Sequence, residues 1–147
     1  MFDPDVEGGA GYLVKRVQLS MRRRCDAALR STGLSMAQYA ALRALADHPE
    51  ASASELARLC FVTRQSLQDL LTGLRSSGLV RSAAVPGQGR ATALVLTPAG
   101  RKHLSEGHQA VVGVEELMVQ GLSVTNRRQL ADLLARCAEN LESAPVE

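Results

Sequence analysis

The chain has 147 residues, which suits one domain able to bury roughly two-thirds of its unfolded surface. Hydrophobic residues make up 46% and aromatics only 3%, with no Trp, so the expectation is a helix-leaning core of Leu, Val, Ala and Met rather than a disordered chain. The formal net charge of +2 argues weakly for a polyanionic partner, but the stretch from Arg58 to Arg90 holds five Arg, no Lys and a single acid, Asp69, while acids gather at the two ends.

Residues 1–9 contain Pro4 and the Gly8-Gly9 pair and read as a flexible arm. From about Gly11 to Ser31 the apolar positions Leu13, Val17, Met21, Cys25 and Ala28-Leu29 recur at helical spacing, and Arg22-Arg23-Arg24 reads as a solvated face of that helix. Gly33 suits a left-handed cap. Ser35 is an N-cap for a second helix reaching about His48, with Tyr39, Leu42 and Leu45-Ala46 facing inward and Pro49 enforcing the stop. Ser52 with Glu55 fits a capping box, opening a short helix with Leu56 and Leu59 as core residues. Phe61-Val62 is a turn. Thr63, or Val62 with Thr63, then starts a longer helix on Leu67, Leu70-Leu71 and Leu74, closed by Gly78. Leu79 to Val85 and Ala91 to Leu96 read as strands flanking the turn Pro86-Gly87-Gln88-Gly89. Thr97-Pro98 pairs an N-cap with a proline at the first helical position, opening a long helix with Leu104, Val111, Val114 or Glu115, and Met118, in which Gly107 and Gly113 are expected to weaken the helix. The last helix runs from about Thr125 to Glu142 on Leu130, Leu133-Leu134, Cys137 and Leu141.

The expected architecture is mainly α: about six helices with a small β-hairpin. Its informative part lies between residues 52 and 97. A short helix, a tight turn and a helix with a polar, basic start make a helix-turn-helix, and the hairpin that follows, with Arg90 at its tip, makes a wing. Double-stranded DNA suits such parts. Its major groove admits one α-helix whose first turns reach base edges, and a thin hairpin can lay an Arg in a narrow minor groove, where negative potential concentrates.

Five segments, in order and at matching spacing, resemble the MarR family of winged helix-turn-helix regulators. They are Leu34-Ser35-Met36-Ala37-Gln38, Ser54-Glu55-Leu56-Ala57, Leu74, Gly78-Leu79-Val80 and Leu96-Thr97-Pro98-Ala99-Gly100. The resemblance implies one domain over 10–147. Residues 33–100 would form the winged core, and 10–32 with 101–147 would form helices that interlock a two-fold homodimer. It implies a transcriptional regulator, a repressor whose dimer leaves a pseudo-palindromic operator when a small effector binds. Carried across residue by residue, Thr63, Arg64, Gln65, Ser66, Gln68 and Asp69 occupy the exposed start of the recognition helix, Arg90 the wing tip, and Arg75 a position for phosphate or solvent. Two departures touch base reading. Asp69 stands where the family often has a basic residue, and Gln88 stands where an Asp usually orients the wing Arg. An effector site of this kind would be lined from the first, second and fifth helices, with Tyr12, Arg16, Met36, Tyr39 and His103 as contributors, Met36 and Tyr39 having core packing as the alternative role.

Two other readings stay open: a regulator that responds to thiol oxidation at Cys25 or Cys60, and a winged-helix module that binds protein. His48, His103 and His108 fit no metal motif, and no nucleophile elbow, Walker loop or dinucleotide glycine pattern occurs, so neither a metal, a cofactor nor an enzyme is expected. The acidic N-terminal residues lack the apolar run of a secretory signal, no stretch approaches 18 apolar residues, and the three cysteines are far apart, so the expectation is a cytoplasmic protein without a membrane span.

Overall fold

The computed structural model describes residues 6–90 and 92–146. Of the N-terminal arm, Met1 to Asp5 lie outside the described residues, and Val6–Gly8 forms one 3-10 turn. The helices are α1 (Ala10–Leu29), α2 (Met36–Asp47), α3 (Ala53–Leu59), α4 (Arg64–Ser76), α5 (Pro98–Met118) and α6 (Val124–Ser143). A single antiparallel pair, β1 (Val80–Ala84) and β2 (Thr92–Leu96), lies between α4 and α5, in register from Val80 opposite Leu96 to Ala84 opposite Thr92. Ala91, expected in the second strand, lies outside the described residues. The chain divides into two compact units, one up to Val114 and one from Glu115 onward.

In the first unit α2 is the hub: it touches α1, α3, α4 and β2. Leu42 on α2, Leu29 on α1 and Leu74 on α4 are wholly buried. Burying such a side chain contributes roughly 1.5–3 kcal/mol. Ser35 caps α2 as expected and adds a reciprocal partner: it accepts from the Gln38 amide at 3.1 Å while its own amide donates to the Gln38 side chain at 3.0 Å. Gly33 closes the preceding turn at φ 74°, the left-handed conformation that L side chains avoid.

Some inward assignments change. Ala46 is exposed, and α2 instead buries Ala41 and Ala44 beside Tyr39, Leu42 and Leu45. Leu59 is 39% exposed; on a helix as short as α3 the inward pair is Leu56 and Ala57. Gly107 acquires a packing reason: a Cβ there would sit 2.9 Å from the Tyr39 ring and 3.4 Å from Leu29 and Leu34. The propensity lost by a mid-helix glycine is offset by bringing α5 onto the Tyr39 ring. Gly113 has open space around it, and nothing in the structure explains that glycine.

The junction after the wing is built by the Leu96–Gly100 segment. The Thr97 hydroxyl donates to the Gly78 carbonyl at 2.6 Å and accepts from the Gly100 amide at 3.0 Å, and the Thr97 amide donates to the Leu79 carbonyl at 3.0 Å. One threonine therefore caps α5 and ties its start to the turn where the wing begins. A Cβ on Gly100 would collide with the Leu79 carbonyl oxygen, so only glycine fits there without backbone movement.

In the second unit Ser123 caps α6 through the Asn126 amide at 3.1 Å, after a left-handed Gly121. The apolar stripe expected on α6 exists, but nothing in this helix is buried: Leu133, Leu134 and Leu141 are exposed, as is Cys137, and on α5 Met118 is exposed too. The first unit carries a similar face on α1, where Tyr12, Leu13, Val14, Val17 and Leu19 are exposed.

Candidate nucleic-acid interface

The interface starts from how α3 hands the chain to α4. Ser52 accepts from the Glu55 amide at 3.2 Å and its own amide donates to the Glu55 carboxylate at 3.3 Å, the expected capping box. At the other end of α3 the Phe61 amide donates to the Arg58 carbonyl at 3.1 Å and the Val62 amide to the Ala57 carbonyl at 3.0 Å. This pair of bonds is a Schellman closure, whose bent residue takes left-handed geometry and is usually glycine. Here it is Phe61, at φ 56°, at a cost of roughly 1–2 kcal/mol for an L residue.

Thr63 then caps α4, accepting from the Ser66 amide at 3.1 Å. The helix is sharply two-sided. Leu67, Leu71 and Leu74 are buried, whereas Arg64, Gln65, Ser66, Gln68 and Asp69 are exposed together over its first two turns, Leu70 lying half-buried between the faces. Gln65 donates to the Asp69 carboxylate at 3.2 Å, so the acid that departs from the family's usual pattern is held along the helix face by a neutral neighbour. Arg75, the last residue but one of α4, is exposed and reaches the Ser82 hydroxyl on β1 at 3.5 Å. The wing turn uses two left-handed glycines, Gly87 at φ 76° and Gly89 at φ 60°, and presents Arg90 exposed.

Among the described residues the one ion pair is Arg43 with Asp47 on α2, at 2.6 Å. The Arg43 hydrogen bond holds the Asp47 carboxyl below its ordinary range and raises the guanidinium in turn. Arg58, Arg64, Arg75, Arg81 and Arg90 are exposed with no acidic partner among the described residues. Their field is therefore directed outward, from the end of α3, from α4 and from the adjoining hairpin.

The other expected residues are more scattered. Tyr12 and Arg16 are exposed one turn apart on α1, and Met36 is half-buried against the core. Tyr39 is buried with its hydroxyl 3.4 Å from His108 Nδ1, and His103 Nδ1 lies 2.8 Å from the Ala99 carbonyl. None of the five lines the depression of about 520 Å³ between α2, β2 and α5. Its floor is Leu45, Leu94, Leu96 and Leu104, and its basic groups are Arg43, Arg101 and His108. The spacing of Arg101, Leu104, Ser105 and His108 along one helix face is the sequence signal that would have found it. Cys25 is buried and Cys60 half-buried, and burial pushes the Cys60 thiol above its ordinary pKa, which lowers its thiolate fraction. Among the described residues no group of three His, Cys, Asp or Glu side chains is placed to hold a metal ion, and no helix is long and apolar enough to cross a membrane.

A capped short helix, a closed turn, a helix with an exposed polar face and an arginine-tipped hairpin define a winged helix-turn-helix. A family model described as the MarR family matches residues 32–91. The HTH-type transcriptional repressor Rv2887 of Mycobacterium tuberculosis is 30% identical over 126 residues, covering 86% of this chain and 91% of the relative. The chain belongs to the MarR family. Among solved structures, Rv2887 in complex with salicylic acid superposes with a TM-score of 0.74 at 29% identity, covering 90% of this chain and 98% of that one. Rv2887 in complex with DNA gives a TM-score of 0.70 at 28% identity, covering 88% and 98%.

Proposed function

We propose that this protein is a homodimeric, sequence-specific regulator of transcription that binds double-stranded DNA, acting as a repressor released from a pseudo-palindromic operator by a small effector. The observation that carries the reading is the exposed face of α4 beside the wing: polar side chains that can read base edges, flanked by arginines that form no ion pair among the described residues. Thr63, Arg64, Gln65, Ser66, Gln68 and Asp69 would face the major groove, Arg90 the minor groove and Arg75 a phosphate. Such a protein needs no catalytic group and no cofactor, and its place is the cytoplasm, where bacterial DNA lies.

The exposed apolar faces of α1 and α6 support dimerisation, since monomers rarely leave so many large apolar side chains in water. A two-fold dimer would present two recognition helices about 34 Å apart, one DNA turn. Effector control is supported by the relative solved with salicylic acid and by the depression between α2, β2 and α5. Its lining leucines and Arg101, which forms no ion pair among the described residues, suit a small amphipathic anion, and its volume of about 520 Å³ lies in the range of small-molecule sites. An anion seated there would touch the wing strand and α5 together and so bias the placement of the reading head.

The test is fluorescence anisotropy with a duplex from upstream of the protein's own gene, against an unrelated duplex, at two salt concentrations. Selective binding that falls steeply with salt is the expected result, because phosphate contacts release counterions. Equal, weak binding to both duplexes would sink the reading.

A further inference from the structure

Phe61 combines two features that folding does not reward. It is the one non-glycine residue with positive φ among the described residues; Gly33, Gly78, Gly87, Gly89 and Gly121 fill the other such positions. Its side chain is also 93% exposed, so the ring gains no burial in return for the backbone strain. Glycine at this turn would remove both costs. Strain of this kind persists where the side chain has another use.

The position indicates the use. Phe61 lies two residues before the Thr63 cap and three before Arg64, at the end of α4 that enters a groove in a helix-turn-helix complex. Its neighbours along the chain mix apolar and charged groups: Leu59 is exposed and Cys60 and Val62 are half-buried, while Arg58, Thr63 and Arg64 are exposed and polar or cationic, and the two arginines have no acid partner among the described residues. A ring set among unpaired cations is matched to a polyanion that also offers an apolar group. In the DNA major groove that group is the C5 methyl of thymine, which apolar side chains contact.

We propose that Phe61 is a base-reading residue that packs on a thymine methyl at the edge of each operator half-site. This rests on the DNA-binding reading above and adds a contact made by the turn rather than by the helix.

The experiment pairs protein variants with single-atom-group changes in the DNA. Wild type, Phe61→Gly and Phe61→Leu are measured by anisotropy on the operator and on duplexes in which each thymine in turn is replaced by deoxyuridine, which lacks only the methyl; melting temperatures are measured in parallel. Phe61→Gly is expected to melt higher, since the strain is gone, and yet to bind the operator about five-fold or more weakly, the low end of the value of one base contact. One deoxyuridine position per half-site should weaken wild type and leave Phe61→Gly unchanged, and Phe61→Leu should retain part of the methyl dependence. Phe61→Gly binding as tightly as wild type would overturn the proposal, as would a lower melting point, which would assign the ring to packing. Weaker binding with no Phe61-dependent uracil position would also overturn base reading. Wild type failing to select the operator at all would remove the DNA-binding reading first, which keeps the two failures distinct.

Discussion

At the scale of single residues, Arg43 is the one arginine held by an acid among the described residues, and what distinguishes those of α4 and the wing from the other unpaired arginines is their place, on the exposed polar face of a capped helix and on the adjoining hairpin. Arg43 is neutralised in place by Asp47, whereas Arg64 and Arg90 have no acid beside them among the described residues and point their charge into solvent. They differ in what they would do. Arg64 sits in the first turn of α4 and Arg90 at the wing tip, so Arg64→Ala and Arg90→Ala should each weaken operator binding by roughly 1–3 kcal/mol if they reach base edges. Arg75→Ala should instead weaken binding to specific and unrelated duplexes alike and lower the salt slope by about one, the signature of a lost phosphate contact. Anisotropy titrations over a salt series separate these outcomes, and unchanged affinity in both Arg64→Ala and Arg90→Ala would contradict the assignment. Asp69 is the acid on the exposed face of α4. Its hydrogen bond from Gln65 keeps it along the helix face, where it can accept from a cytosine amine or exclude a phosphate.

At the scale of elements, the hydrogen-bonded ends were the parts most legible in the sequence. Ser35, Ser52 and Thr97 each cap the helix they were expected to cap, because a cap is decided by one hydroxyl and an amide three residues on, and Thr63 at the start of α4 does the same. Burial was less legible, since helical spacing marks a face but not its width. Leu59 lies on the apolar side of α3 and still meets solvent, because seven residues give room for one inward pair, Leu56 and Ala57. The depression between α2, β2 and α5 was missed for a related reason: it takes residues from three elements far apart in sequence, and its basic groups look like ordinary surface charge on each element alone. Glycines show the same limit. Gly100 and Gly73 both sit in helices, but a Cβ at Gly100 strikes the Leu79 carbonyl whereas one at Gly73 meets nothing within 4 Å. Gly100→Ala should therefore destabilise the protein by about 1–3 kcal/mol through forced backbone movement. Gly73→Ala should stabilise it by up to about 1 kcal/mol, the difference in helix propensity. Urea unfolding measures both, and a Gly100→Ala protein as stable as wild type would remove the wing-to-α5 contact from the account.

At the scale of the whole molecule, the decisive feature is apolar surface without a partner. Leu13, Val14 and Val17 on α1 and Leu133, Leu134 and Leu141 on α6 are exposed in the single chain. A monomer would gain from polar residues at all six positions, so a second copy is the simplest occupant, each subunit contributing the same residues as two-fold symmetry requires. Whole-chain charge gives no hint of this: +2 conceals a basic reading head and acidic ends. Val17→Glu combined with Leu134→Glu places charges in both faces, where burial without a counter-charge is costly. Sedimentation should show a monomer with wild-type helix content in the first unit, whose core does not include either residue. Its melting point should lose the concentration dependence expected of the dimer. Operator binding tests the coupling. One reading head retains half of the contacts, so the variant should bind a single half-site weakly and lose the advantage of a palindrome over that half-site. A variant that stays dimeric would place the interface elsewhere. A monomer that still prefers the full palindrome would mean that the two half-sites are read without a shared frame, contrary to the proposal that a two-fold dimer sets the two recognition helices one DNA turn apart.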